Sequence, residues 1–400
     1  FSTYNSGHEP GEFFSMDNYM YGIGEKDGEA FPGVYYMERS WEGGNTDGHV
    51  VSTTKLYTGG RTLNGSSNLS GWYYADRNDT YEDNRISIDG DTHLILLDGM
   101  TLTCKKGIHI KPGKTLTIYA QSGGTGKLKC TGSDGANGSI GGNKDTKGGN
   151  LVIHGGDIYA KPSSNNAAGI GGGDGSSSGM QSVTIYGGNI TAEGKSSGAG
   201  IGSGQENSTV PSVTIYGGSI TAKGGNYAAG IGGGEECTNG TIKIFGGTVT
   251  ATGGGKSGSG GGAAGIGSGE ESSQNNPIYI YGGTVNATGG QCGAGIGGAY
   301  KGNGGSVYVY GGNVTATGGQ YGAGIGGGYR YISTSAGRGG TLTVTGGTVN
   351  ATGGEYSSGI GGGYKAQGGT VTISNGNVTA TGGTRGAGIG GGWVADGGNV

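Results

Sequence analysis

Hydrophobic and polar residues alternate in short runs along most of the chain, and glycine pairs separate the runs. In the first run of SVTIYGGNITAEGKSSGAGIGSG (182–204), Val183 and Ile185 alternate with polar neighbours; a second run follows, and a third is centred on Ile201. An alternation of apolar and polar residues with a period of two predicts β-strands with one buried face. The glycines permit the backbone angles of tight corners. Each unit therefore predicts three short strands, and no segment has helical periodicity of useful length.

The unit recurs about every thirty residues, and close copies occupy 212–234 and 306–328. The isoleucine of the third run, here termed the central isoleucine, marks each copy: Ile140, Ile170, Ile201, Ile231, Ile266, Ile296, Ile325, Ile360 and Ile389. Units that each bury one narrow face must stack on one another. The pattern predicts an all-β fold, a three-sided parallel β-solenoid (β-helix) of about ten rungs of ~30 residues. At about 4.8 Å per rung, the rod would be about 48 Å long.

The pattern divides the chain at residue 85. Degraded units at 94–110 and 116–132 fit the same columns, so we predict that 85–400 is the repeat domain. Residues 1–84 hold 15 of the 32 aromatic residues without the period, and we predict an N-terminal cap or small domain that covers the open end. The chain stops at 397–400, where an eleventh rung would start. We expect either a longer array or an end that meets another molecule.

Composition alone favours disorder, since 106 residues are glycine and 31% are hydrophobic, but the ordered repeat argues against it. Glycine does not recur every third residue, as collagen requires. Gly293, Gly295 and Gly298 have the spacing of a dinucleotide-binding loop, but that loop opens a helix, whereas here a corner and a strand follow. The net charge of −4 without a Lys/Arg stripe predicts no nucleic-acid partner, and no apolar run predicts a membrane span.

Stacking turns equal offsets into columns of side chains. Four residues after the central isoleucine stand Asp174, Gln205, Glu235, Glu270, Tyr300, Tyr329, Tyr364 and Trp393, and one place later stand Glu206, Glu236, Glu271, Lys301, Arg330 and Lys365. One corner thus changes from acidic to aromatic and basic. Its aromatic part predicts either contact with sugar rings or stacking of the rings on one another. Its acidic part, Glu235, Glu236, Glu270 and Glu271, predicts either a Ca²⁺ site or a solvated edge.

A second aromatic column precedes the first glycine pair and should face outward: Tyr119, His154, Tyr186, Tyr216, Phe245, Tyr281 and Tyr310. Exposed apolar stripes often mark contact surfaces. Lateral packing of rods, docking of a polymer and simple stacking within the chain all remain open.

The second strand of each unit exposes threonine and asparagine. A regular threonine ladder resembles an ice-binding face, but Glu193 and Lys223 interrupt it. The strand also carries glycosylation sequons at Asn189, Asn286, Asn313, Asn350 and Asn377, and six more occur at Asn64, Asn68, Asn78, Asn137, Asn207 and Asn239. Cys104 and Cys130 occupy the inward slot that alanine holds in other units, close enough for a disulfide or two buried thiols.

Catalysis has little support in the pattern. All five histidines lie in the first 154 residues, and none shares a column with a Ser or Cys nucleophile and an acid. A polysaccharide lyase or hydrolase would need a localised carboxylate cluster that breaks the repeat, and 150–400 contains none. We predict a non-enzymatic protein without a cofactor, apart from the Ca²⁺ alternative.

The unit GGTVTATGG…GAGIGGG, preceded by DTHLILLDGMTLTC, resembles the glycine-rich GAGIGGG repeats of secreted or surface-attached β-helix proteins of Firmicutes, some of them described as carbohydrate-binding or adhesin-like. The resemblance covers about 86–400. We therefore predict an extracellular or cell-surface structural and adhesive rod. It would associate with itself, head to tail or laterally, or contact a surface polysaccharide. The alternative is a polysaccharide-binding module that uses Tyr300, Tyr329, Tyr364 and Trp393.

Overall fold

The protein is a stack of short strands wound into a β-helix with three faces. The computed structural model describes residues 13–16, 19–26, 29–58, 63, 67–132, 135–177, 179–206, 210–255, 261–272, 275–330 and 339–399, with side chains from residue 33 onward. Within these ranges the regular elements are strands, and the predicted three-sided parallel solenoid is confirmed. No helix among the described residues is long and apolar enough to cross a membrane.

Four strands at the N-terminus precede the parallel stack: β1 (Phe13–Met16), β2 (Tyr19–Lys26), β3 (Glu29–Glu42) and β4 (His49–Tyr57). The first face consists of β5 (Asn68–Ala75), β7 (Ile86–Leu96), β10 (Thr115–Ala120), β13 (Asn150–Ile153), β16 (Ser182–Ile185), β19 (Ser212–Ile215), β22 (Ile242–Ile244), β25 (Ile278–Ile280), β28 (Ser306–Val309), β31 (Thr341–Val344) and β34 (Thr370–Ile373).

The second face consists of β6 (Asp79–Tyr81), β8 (Thr101–Cys104), β11 (Lys127–Cys130), β14 (Asp157–Ala160), β17 (Asn189–Glu193), β20 (Ser219–Lys223), β23 (Thr248–Thr252), β26 (Thr284–Thr288), β29 (Asn313–Thr317), β32 (Thr348–Thr352) and β35 (Asn377–Thr381). The third face consists of β9 (Ile108–Ile110), β12 (Ile140–Gly141), β15 (Ile170–Gly171), β18 (Ile201–Gly202), β21 (Ile231–Gly232), β24 (Ile266–Gly267), β27 (Ile296–Gly297), β30 (Ile325–Gly326), β33 (Ile360–Gly361) and β36 (Ile389–Gly390).

Equivalent residues of successive rungs pair directly. Ile296 lies opposite Ile325, and Val285 lies opposite Val314, so each apolar column is continuous along the axis. The buried columns join into one core that runs from Leu63 to Val371. Each rung is thereby held by backbone hydrogen bonds and by apolar contacts to both neighbours.

Parallel pairing begins upstream of residue 85. Strand β5 pairs with β7, and β6 pairs with β8, so the second face has eleven strands where about ten rungs were expected. The division into domains at 84 and 85 stays a prediction.

The third face is an arch that only glycine can form. Gly297 has φ of +129°, and a Cβ atom there would lie 2.2 Å from the carbonyl oxygen of Gly326. Non-glycine residues rarely adopt this backbone angle, and the rung above leaves no space for a side chain. The spacing of Gly293, Gly295 and Gly298 therefore belongs to a corner of the β-helix.

The N-terminal antiparallel strands lie along the flank of the stack. Strand β3 pairs antiparallel with β4, and Met37 of β3 pairs with Ala120 of β10. Farther along the same strand, Arg39 contacts His154, and the ring of Trp41 contacts Phe245 four rungs beyond β10. These contacts follow the axis of the rod; a role for residues 1–84 as an end cap stays a prediction.

Cys104 and Cys130 are directly opposite each other in the core, as the column predicts. Of the two alternatives, the structure has the pair of buried thiols and not the disulfide. The hydrogen bond between the two thiols, and then burial, raise the pKa of Cys104 well above its ordinary value. Burial in the apolar core stabilises the protonated form.

Candidate functional site

The arch on the third face brings two columns of side chains together. One column stands four residues before the central isoleucine and the other four residues after it. Backbone hydrogen bonds join the second column to the first column of the preceding rung. The Tyr364 N–H donates to the Tyr321 carbonyl at 3.0 Å, and the Trp393 N–H donates to the Tyr356 carbonyl at 2.8 Å. We name the resulting surface the arch face. Its preceding column is Ser197, Tyr227, Gly262, Cys292, Tyr321, Tyr356 and Arg385, and its following column is Gln205, Glu235, Glu270, Tyr300, Tyr329, Tyr364 and Trp393.

A left-handed turn holds the position next to the following column. Glu236, Glu271, Lys301 and Lys365 have φ of 62°, 63°, 62° and 58°. The backbone N–H of Lys301 donates to the Tyr329 carbonyl of the next rung at 2.8 Å. Because these turns recur at equivalent positions of stacked rungs, their side chains project from the same edge of the β-helix. Arg330 holds the equivalent position without a positive φ.

Six rings form the aromatic part of the arch face: Tyr300, Tyr321, Tyr329, Tyr356, Tyr364 and Trp393. Tyr329 and Tyr364 stack with centroids 5.1 Å apart, and Tyr364 and Trp393 stack at 5.7 Å. Tyr321 joins the columns, since its centroid is 5.5 Å from Tyr329 and 5.3 Å from Tyr356. The rings do stack on one another; contact with a glycan stays a prediction.

Cations lie over several of these rings. The ammonium group of Lys301 is 5.1 Å from the centroid of Tyr300, and that of Lys365 is 5.2 Å from the centroid of Tyr364. The guanidinium group of Arg385 is 5.3 Å from Tyr356 and 4.5 Å from Trp393. Cation–π attraction thus orders the charged groups on the aromatic part.

The acidic part of the arch face precedes the aromatic part along the axis, and its carboxylates have separate partners. Glu235 accepts a hydrogen bond from the Ser197 hydroxyl at 2.5 Å, Glu270 accepts one from the Gly262 N–H at 3.1 Å, and Glu271 forms an ion pair with Lys301 at 2.6 Å. No group of three or more His, Cys, Asp or Glu residues in the described part of the chain could hold a metal ion. The Ca²⁺ alternative for Glu235, Glu236, Glu270 and Glu271 therefore stays a prediction, without a group of ligands in the described residues to support it.

Glu270 is the buried member of the acidic part, with 7% of its surface exposed. Burial, and after it the charges of Glu235 and Glu271, raise its pKa to about 7, although the Gly262 N–H bond opposes the shift. The side chain titrates near neutral pH at the junction of the acidic and aromatic parts.

The second aromatic column, which we name the flank ladder, is Tyr119, His154, Tyr186, Tyr216, Phe245, Tyr281 and Tyr310. Its rings are nearly parallel; His154 and Tyr186, for example, lie 5.1 Å apart with an interplanar angle of 4°. The lower part is covered by β3: Tyr36 contacts Tyr119, and Trp41 contacts Tyr216 and Phe245. The Arg39 N–H donates to His154 Nδ1 at 2.9 Å, and burial lowers the pKa of His154 to about 4.

The flank ladder, which the sequence predicts to face outward, is therefore partly covered by β3. Tyr281 and Tyr310, stacked at 4.9 Å, lie beyond the contacts of Trp41 and are half-exposed.

The glycosylation sequons differ in access. Asn189, Asn313, Asn350 and Asn377 are exposed, and Asn286 is half-exposed. Asn239, by contrast, is fully buried, and its amide donates to the Asn276 carbonyl at 2.8 Å. Asn64 and Asn207 lie outside the described residues. Glycosylation of the accessible sites stays a prediction.

Seven segments of the chain match the family model of the beta helix repeat: 151–174, 183–205, 213–235, 278–300, 307–329, 342–364 and 371–393. These seven segments have the beta helix repeat that the family model describes. Each matched repeat begins on the first face and ends four residues after the central isoleucine, at the following column of the arch face. No protein of curated function and no solved structure matches the chain.

Sequence reasoning missed Tyr321, Tyr356 and Arg385 of the preceding column. A column at a second offset, four residues before the central isoleucine, would have shown all three. That the two columns are neighbours depends on the arch itself.

Proposed function

We propose that this beta-helix repeat protein is a non-catalytic adhesive rod, extracellular or on a cell surface, that contacts polysaccharide through the aromatic part of the arch face. The observation that carries this proposal is the double column of six rings with cations among them on one half-exposed surface. Tyrosine and tryptophan combine apolar contact area with a polar tip, which suits the mixed surface of sugars.

The scaffold supports this role because it keeps the rings in a fixed register. Tyr329 and Tyr364 sit on neighbouring rungs whose three faces all pair in register. A preorganised surface loses little conformational freedom on binding. The contribution of a repeated, weak contact then increases with the number of rungs engaged.

Retention on insoluble polysaccharides tests the proposal. We expect the full chain to be retained by at least one of cellulose, chitin, mannan and cross-linked pectin, and the Tyr329→Ala/Tyr364→Ala variant to be released. The matched control is Tyr279→Ala/Tyr308→Ala, which removes a stacked tyrosine pair with centroids 5.1 Å apart from the first face. Unchanged retention of the first variant, or its equal loss in the control, would contradict the proposal.

Lateral association of rods is a second candidate role. It is supported by the half-exposed pair Tyr281 and Tyr310, which continues the flank ladder beyond Trp41. Sedimentation velocity should then show concentration-dependent association that Tyr281→Ser/Tyr310→Ser abolishes. A monodisperse monomer at all concentrations would exclude this role and leave the glycan proposal standing; negative-stain images would distinguish lateral from head-to-tail assemblies.

A further inference from the structure

We infer that the arch face binds an acidic polysaccharide, a chain of uronic acid residues, laid along the rod axis over the aromatic part. The inference rests on the proposed function and names its ligand class.

The charges of the arch face change sign along the axis. The rungs from Ile296 to Ile389 carry one carboxylate, Glu355, and four cations at or beside the two columns: Lys301, Arg330, Lys365 and Arg385. Lys301 is paired with Glu271, and the positive charges remain in excess. The preceding rungs carry Asp174, Glu206, Glu235, Glu236, Glu270 and Glu271 at the same edge. An anionic polymer is attracted to the first group and repelled by the second. The boundary at Glu271 and Lys301 therefore sets where such a polymer begins to bind.

The groups that this surface offers are mainly hydrogen-bond donors. Phenol hydroxyls, ammonium groups and guanidinium groups all donate, and the cations only donate. A ligand rich in acceptors, such as a carboxylate on each sugar, complements them, because charge-assisted hydrogen bonds are the stronger kind.

The ring faces are largely occupied within the protein. Tyr364 has the ring of Tyr329 at 5.1 Å and the ammonium group of Lys365 at 5.2 Å, and Arg385 lies 4.5 Å from Trp393. Single-stranded nucleic acids bind by stacking their bases on open aromatic faces. With these faces occupied, the surface favours a ligand held by hydrogen bonds, such as a sugar chain, over stacked bases.

The repeat distance also suits an extended sugar chain. Neighbouring rungs are separated by about 4.8 Å, close to the length of one pyranose residue, and four rungs span about 14 Å. A uronate chain parallel to the axis can thus place successive carboxylates in step with successive cations.

Affinity electrophoresis of the full chain in gels that contain polygalacturonate tests the inference. The same polymer with its carboxyl groups methyl-esterified is the matched neutral probe. We expect the free acid to retard the protein at roughly tenfold lower polymer concentration than the ester, and about 0.5 M salt to remove that difference by screening. The variant K301Q/R330Q/K365Q/R385Q should lose the preference, whereas K114Q/K129Q/K223Q/K243Q, with equal change of charge away from the arch face, should keep it.

Equal retardation by the acid and the ester overturns the inference but leaves the proposed function intact if Tyr329→Ala/Tyr364→Ala still abolishes binding. Loss of the preference in both quadruple variants would mean that net charge alone causes it, and this result would also overturn the inference. Retardation by a single-stranded oligonucleotide at lower concentration than polygalacturonate would replace the sugar ligand with a nucleic acid. Retardation by neither form, together with no retention on any insoluble polysaccharide, would overturn both proposals.

Discussion

The flank ladder and the arch face are built from the same residue types, and the structure uses them differently. The flank ladder has one ring per rung, stacked nearly parallel, and its own chain covers the lower part of it with Tyr36, Arg39 and Trp41. The arch face has two columns, tilted rings such as Tyr356 and Tyr364 at 51°, and cations at its edge. A column of tyrosines therefore does not by itself identify a binding surface. What lies over the rings decides whether the column holds the chain together or remains accessible.

The largest effect should come from Gly326→Ala, which would disrupt the arch that joins the two columns. Gly326 has φ of +137°, and a Cβ there would lie 2.0 Å from the Gly361 carbonyl oxygen. We expect a loss of about 3 kcal/mol or more in the free energy of unfolding, measured by urea titration with circular dichroism. Gly113→Ala is the control, because Gly113 has φ of +71° but nothing within 4 Å, and it should lose only about 1 kcal/mol. Equal losses would mean that the arch imposes no steric demand.

Trp41→Ala should uncover the flank ladder without affecting the arch face. Trp41 contacts Tyr216 and Phe245, both at 5.2 Å between centroids, so its truncation removes the distal anchor of β3. We expect the local opening free energy of the β3 and β4 amides, measured by hydrogen exchange, to fall by about 2 kcal/mol. The control Trp393→Ala should leave these amides protected. Unchanged exchange in Trp41→Ala would show that the antiparallel strands are held by other contacts.

Glu270→Gln tests the junction between the acidic and aromatic parts. Since the folded-state pKa of about 7 lies above the ordinary 4.5, the unfolded chain loses its proton first, and the folded state loses stability as the pH rises from 4.5 to 7. We expect Glu270→Gln to be more stable than the parent by about 1–2 kcal/mol at pH 8, a value reduced for partial solvent screening. Near pH 4 the two should be equal.

The control for this variant is Glu271→Gln, whose carboxylate is exposed and paired with Lys301. It should not gain stability as the pH rises. A difference between Glu270→Gln and the parent that does not vary with pH would contradict the buried-carboxylate explanation.

The smallest effect on stability should come from Lys301→Gln. Its ion pair with Glu271 is short, at 2.6 Å, but both side chains are more than 40% exposed, at 45% and 43%. Exposed pairs contribute less than about 1 kcal/mol, and we expect a change within that limit in the urea titration. A larger loss in the free energy of unfolding would show that Lys301 stabilises the fold, which would argue against a role of this cation in ligand binding.

The repeat could be predicted from the sequence because each rung has the same local pattern of apolar and polar residues. Val183, Ile185 and Ile201 lie in the core as their alternation predicts, and the matched repeats follow the same period. The following column of the arch face was also predicted, since equal offsets from the central isoleucine must stack. The preceding column was missed because only the arch places residues eight apart side by side.

The sequence by itself determined the period, the three faces and the inward columns, since these depend on alternation within a strand and on pairing between identical units. The tertiary structure alone decided that Tyr321 and Tyr364 share one surface, that β3 lies along the flank ladder, and that Glu270 is buried near the charges of Glu235 and Glu271. The shared surface of Tyr321 and Tyr364 depends on positive φ angles at the arch glycines. A glycine in the sequence permits such an angle but does not specify it. The others depend on contacts between segments distant in the chain, such as Arg39 and His154, for which no period gives a register.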